Sequence, residues 1–310
     1  DNPGLALGAA LGAAATTGRD KLALIPDGTG IDGLGDWIEQ LIAESTGKNG
    51  RGILPVVVER PDSPGTTGPD VLTLTYGGGL PAGAVPGGGI RPQLAVNGPL
   101  GAQFLTWEYA TAVAGVVLGI DPFNQPNVTE SKENTKRLLG TGLPVETPTF
   151  VDAGIEGYWS PGAGATGTVP GDLAGALRLL LDGLGDSGYL AVMAYLDRFA
   201  DGRAGELRPA LAAAAKRPVT FGWGPRFLHS TGQYHKGGPQ LGSFLQITGA
   251  VTDDLPVPGQ PYSFGQLQAA QAAGDRQALA ERGRPVLRLH LTDRVAGVDR
   301  LLDVARGLRS

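Results

Sequence analysis

The sequence predicts an α/β fold with a mainly parallel sheet flanked by helices. Two observations carry this. Short apolar runs of strand length alternate with longer segments of helical period, the pattern of repeated βα units. The run YLAVMAYL at 189–196 is apolar throughout, as expected of a buried strand. At 310 residues the chain is long enough for one large or two small domains and a substantial core.

The elements follow in order. The start, LALGAALGAAA, has no preceding basic region and is far shorter than the roughly 20 residues a membrane span needs. It is expected as an Ala/Leu helix packed on a core, with no membrane as partner. The chain begins at Asp1 without an initiator Met, which suggests a fragment or a processed piece. Strands are expected over 21–25, 53–59, 71–76, 189–196 and 285–291, with extended segments at 218–222 and 244–248. Helices are expected over 30–43, 99–120, 129–139, 172–183, 205–216, 264–282 and 293–308. In one of these, Leu173, Leu177, Leu180 and Leu181 share a face at i, i+4, i+7 and i+8. Two stretches rich in Gly and Pro, 77–92 and 153–171, are expected as loops or hairpin connections.

Composition excludes several function classes. A net charge of −5, with no basic stripe interleaved with aromatics, argues against nucleic acid as a partner. The absence of cysteine excludes disulfides, thiolate catalysis and Cys-based metal sites, and fits a cytoplasmic location. The sequon at Asn127 is then without consequence, since nothing points to secretion.

The densest cluster of chemistry-bearing residues is HSTGQYHKGGP, from His229 to Pro239, which holds two of the three histidines. It shows neither helical nor strand period and is expected as a polar site loop. His229 and His235 are candidates for proton transfer near neutral pH. A zinc site at this pair is disfavoured, because the six-residue spacing fits no helix face and no third ligand is evident.

Three other features compete. The turn Gly28-Thr29-Gly30-Ile31-Asp32-Gly33 follows a strand and opens a helix, as a dinucleotide-binding turn does, and Glu59 could serve as the ribose-binding acid. In a chain with 51 glycines the pattern also arises by chance, and a tight strand-to-helix turn is the commoner reading. In the helix that follows, Gln40 and Glu44 share a face, with Glu44 at the edge of the stripe Leu34, Trp37, Ile38, Leu41 and Ile42. A partly desolvated carboxylate there suits a general base; alternatively it pairs with Lys48 at i+4 on the surface. Finally, Glu108 is the lone charge on the apolar helix 99–120, and the turn after that helix leads to Lys132.

Together these segments resemble glucose-6-phosphate isomerase. AESTGKNGRGILPV is similar to the segment around that family's catalytic glutamate. WEYATAVAGVVLGIDPFNQPNVTESK is similar to the segment ending in its active-site lysine. GPRFLHSTGQYHKGGP with FLQIT is similar to the actinobacterial and transaldolase-fused forms, and the likeness runs on through VPGQPYSFGQLQAAQAAGD.

The resemblance implies a flavodoxin-like sugar-isomerase (SIS) domain with a C-terminal helical extension, and reversible conversion of glucose 6-phosphate and fructose 6-phosphate through a cis-enediol. Glu44 would shuttle the proton between C1 and C2, and Lys132 would assist at the ring oxygen. His235 would open the ring, with His229 its competitor, while Gln40, His229 and Lys236 would touch the substrate. Such isomerisation needs no metal or cofactor. The family belongs to glycolysis and gluconeogenesis in the cytoplasm, and a homodimer is an implied partner.

The family's first sugar-isomerase domain carries a Ser/Thr-rich phosphate loop and a Gly-Gly-Arg motif, and neither is found in this sequence. Residues 1–310 would then be the C-terminal sugar-isomerase domain with its extensions, expected to be nearly inactive without the missing domain. The alternatives are a non-catalytic sugar-phosphate-binding module and an NAD-linked oxidoreductase.

Overall fold

The computed structural model describes residues 2–29, 31–80, 92–163 and 171–308. The helices in chain order are α1 (Pro3–Thr16), α2 (Leu34–Thr46), α3 (Leu100–Leu118), α4 (Pro126–Thr141), α5 (Leu173–Asp182), α6 (Leu207–Ala215), α7 (Ser230–Gly237), α8 (Phe264–Glu281) and α9 (Arg294–Gly307). The strands are β1 (Lys21–Pro26), β2 (Leu54–Val57), β3 (Val71–Gly77), β4 (Leu94–Asn97), β5 (Phe150–Asp152), β6 (Ile155–Ser160), β7 (Tyr189–Tyr195), β8 (Val219–Trp223), β9 (Gly242–Gly249) and β10 (Val286–Leu291). Strands and helices alternate as the sequence predicts, and the fold is α/β.

These elements form two compact units, each with its own sheet. Single hydrophobic cores stop growing at about 250–300 residues, which gives a chain of this length reason to divide.

The first unit comprises residues 1–125 together with His229–Pro239 and a short piece at 216–218. Its four strands are all parallel, in the order β2-β1-β3-β4. Leu22, Leu24, Ile38, Ile42, Leu74 and Trp107 centre its core. Helix α1 starts where Asn2 accepts the Leu5 amide (3.1 Å) and Pro3 occupies the first turn. The helix packs on α3 through Gly4, Gly8 and Gly12. A methyl at Gly8 would lie 2.4 Å from the Ala110 carbonyl oxygen, so the glycine spacing sets how closely the two backbones approach. Lys21 is fully buried, between Asp20 at 2.7 Å and Asp70 at 3.1 Å.

The second unit comprises residues 126–215, 219–228 and 240–310. Its sheet order is β5-β6-β10-β9-β7-β8; β10, β9, β7 and β8 are parallel, and the β5–β6 hairpin joins antiparallel through β6. Every residue of β7 is buried, as its apolar sequence predicts. On β10, Leu287, Leu289 and Leu291 face the core, which Leu301 and Leu302 of α9 also enter.

One expectation about loops changes. The stretch 153–171 contains all of β6, which the glycines on either side of IEGYWS had obscured; Ala153 and Gly154, both at positive φ (47° and 81°), make the hairpin turn. Residues 81–91 of the other stretch lie outside the described residues, as do 164–170, and β4 follows the former.

Candidate functional site

Glu44 sits in the last turn of α2 and is half-buried. Its Oε2 accepts the backbone N–H of Ser230 at 3.1 Å, from a residue 186 positions away. Gln40, one turn earlier and exposed, places its amide Nε2 3.4 Å from the same oxygen, the proximity that i, i+4 spacing requires. The Ser230 N–H is one of the first-turn donors of α7 that have no partner within the helix, so the carboxylate caps it.

The joint between α2 and α7 holds this pairing. Gly47 ends α2, and a methyl there would lie 2.3 Å from the Tyr234 Cα and 2.8 Å from the Tyr234 nitrogen. The Gly47 carbonyl accepts the Gln233 side chain at 2.9 Å, and the Gly237 carbonyl accepts the Gly50 amide at 2.9 Å. Thr46, fully buried, donates to the Ile42 carbonyl (2.7 Å) and accepts the Ile53 amide (3.0 Å), which fixes the turn after the helix.

Three observations bear on the site expectations. First, the segment from His229 is a helix rather than a loop, and Ser230 to Lys236 are all buried. A helix buried on every side shows no amphipathic period, so its polar composition concealed it. Second, His235 is 1% exposed and Lys236 4%, whereas His229 is exposed at the N-terminal end of α7, one residue before the Glu44-bound amide. Third, Lys48 is not a surface partner of Glu44. It is 2% exposed, and its ammonium donates to the Asp121 carbonyl at 2.8 Å. Burial pushes its pKa down, against the opposing pull of Asp121 and Glu44.

Lys132 lies exposed on α4, in the second unit. Glu108 is exposed on α3, so water solvates the charge that the sequence left without a partner. Beside it, the buried Trp107 donates to Gln103, whose amide donates to the carbonyls of Gly77 (2.6 Å) and Val96 (3.0 Å), tying α3 to the ends of β3 and β4.

The glycine turn after β1 is closed by its own side chains. Asp27 accepts the Thr29 amide (2.9 Å) and hydroxyl (2.6 Å), as well as the Asn97 amide. The Thr29 hydroxyl in turn accepts the Gly78 amide at 2.6 Å. Gly28 and Gly33 supply the positive φ (85° and 77°) the turn needs. Glu59, the candidate ribose ligand, accepts the Ser63 hydroxyl at 2.9 Å. Gly30 lies outside the described residues. These bonds account for the motif as a strand-to-helix turn.

No family model matches the chain, and no curated protein does. Among solved structures, the chain is similar to a hypothetical protein from Thermus thermophilus at 12% identity and a TM-score of 0.39, over 99% of this chain and 83% of that one. It is also similar to the C-terminal domain of glucosamine-fructose-6-phosphate aminotransferase from Francisella tularensis at 9% identity and a TM-score of 0.29, over 98% of this chain and 91% of that one. These likenesses are too distant to assign an activity.

Among the described residues, no group of His, Asp and Glu has the arrangement of a metal site, and no helix is long and apolar enough to cross a membrane.

Proposed function

We propose that the chain supplies the base-bearing part of an aldose–ketose isomerase of the sugar-isomerase class, acting on glucose 6-phosphate and fructose 6-phosphate. The observation that carries this reading is the bond from the Ser230 amide to Glu44, which joins the two segments whose sequences most resemble that family. Isomerisation through an enediol needs a carboxylate aimed at C1 and C2 and held in one orientation. Two donors on one carboxylate oxygen, from Ser230 and Gln40, provide the orientation, and half-burial leaves the group accessible.

In this reading Glu44 moves the proton and Gln40 contacts the sugar. The exposure of His229, beside the Glu44-bound amide, supports giving it the ring-opening role in place of the buried His235. His235 and Lys236 then shape α7 from within. The phosphate-binding groups come from a preceding sugar-isomerase domain, joined to this chain in the complete enzyme. Conversion of fructose 6-phosphate by the full-length protein, compared with the chain alone, tests the reading. Turnover is expected only when both parts are present, and full turnover by the chain alone would remove the need for the second domain.

A further inference from the structure

One face of the six-stranded sheet is polar where α8 crosses it. The leucines of β10 face the apolar core, so Arg288 and His290 point to the opposite side. Register places Gln246 and Thr248 of β9 beside them, and Tyr195 of β7 next to Thr248. The Gln246 amide donates to the Ala272 carbonyl of α8 at 3.0 Å. A cavity of about 300 Å³ opens on this face, lined entirely by residues of the second unit.

Three independent features mark it as a built site. The first is position. From β7 the chain continues to β8 on one side, then returns to β9 on the other, so the strand order reverses between β7 and β9. Tyr195 and Thr248 stand at the carboxyl ends of those two strands, where open α/β sheets hold their ligands. The second is an unmet hydrogen bond. Tyr195 lines the cavity at 1% exposure, and its hydroxyl has no hydrogen-bond partner among the described residues. An unsatisfied buried hydroxyl is unfavourable, and a ligand oxygen would relieve it.

The third is a set of polar side chains fixed in place. Arg288 and Glu146 both line the cavity and are paired at 3.2 Å, and Arg276 also donates to Glu146. The Arg288 guanidinium lies 3.7 Å from the centroid of the Tyr158 ring. Burial, reinforced by Arg288, holds His290 below the ordinary histidine value, so the ring is neutral near pH 7, with Nδ1 3.0 Å from the Thr248 hydroxyl. The cavity thus offers neutral hydrogen-bonding groups beside an arginine whose guanidinium is already held by a carboxylate and an aromatic ring. Ala269 and Ala273 supply an apolar wall. Its volume lies at the small end of ligand sites, about 300–1,000 Å³.

We propose that this cavity binds an uncharged, hydroxyl-bearing ring of monosaccharide size, with hydroxyls on Tyr195, His290 and Gln268 and an apolar face on Ala269 and Ala273. The proposal stands apart from the isomerase reading, since none of these residues has a role there.

Saturation-transfer NMR of the chain with unphosphorylated D-glucose, D-fructose and D-ribose tests it. At least one sugar is expected to receive saturation. Ala269→Leu, which fills the cavity, should abolish the transfer. Tyr195→Phe and Gln268→Ala should each weaken binding about tenfold, and the partly exposed Gln268 keeps the test open should the tyrosine variant fail to fold. Val151→Thr, at an exposed position of the same unit outside the cavity lining, should bind as the parent does. Absence of transfer from all three sugars, transfer undiminished in Ala269→Leu, or displacement of the sugar by a lower concentration of inorganic phosphate would overturn the proposal.

Discussion

Replacing Gly47 with alanine probes the joint that holds Glu44 in place. The backbone there has φ −72°, which alanine adopts freely, so the effect is steric. The added methyl would lie 2.3, 2.7 and 2.8 Å from the Tyr234 Cα, Cβ and nitrogen, two of them backbone atoms that no rotamer change can move. Separation of α2 from α7 must follow. Overpacking of this kind costs about 1–3 kcal/mol. Losing the buried Gln233–Gly47 bond adds about 1 kcal/mol, and the charged Ser230–Glu44 bond about 1.5–3 kcal/mol. Because these losses overlap, about 4 kcal/mol is expected for the first unit. Urea unfolding, with hydrogen exchange followed by mass spectrometry over α2 and α7, measures it. Gly101→Ala is the control: no atom stands within 4 Å of the added methyl on α3. It should stabilise by about 0.5–1 kcal/mol. A Gly47→Ala protein within about 0.5 kcal/mol of the parent, an ordinary surface effect, would refute the reasoning.

Gly8→Leu should separate α1 from α3 and cost about 3 kcal/mol or more, visible as loss of exchange protection in α1. Lys21→Met strands Asp20 and Asp70 without their shared cation and should lower stability by about 3–5 kcal/mol in urea melts; an unchanged midpoint would mean that the pair is solvated. His290, with its folded pKa depressed, favours the neutral ring in the folded state. Stability from this group is therefore present above about pH 6.5 and lost as pH falls towards the folded value. The urea midpoint of the second unit should decline over that window, and His290→Gln should flatten the decline.

The strand-and-helix alternation was legible because period and composition agree: YLAVMAYL is apolar at every position and β7 is buried at every position. Gln40 and Glu44 were legible as neighbours because helix geometry alone sets i, i+4. The burial of α7 was not, since a helix enclosed on all sides can be built from Ser, Thr, Gln, His and Lys only if distant chain meets its polar groups, as the Gly47 carbonyl meets Gln233. The same holds for Lys48, whose partner is a backbone carbonyl 73 residues away. The positive φ of Ser230, 42°, has no signature in a serine. The cavity beside Tyr195 arises from the register of β7, β9 and β10, which three separate apolar runs do not disclose.

The central claim is that Glu44 is a catalytic base. Interconversion of glucose 6-phosphate and fructose 6-phosphate by the full-length protein and by its Glu44→Gln variant, with substrate binding measured in parallel, tests it most directly. The account predicts turnover in the parent, and a kcat lower by about 10²–10⁴ in the variant with sugar-phosphate binding retained. Unchanged turnover in the variant, or sugar-phosphate binding without turnover in the parent, would contradict it.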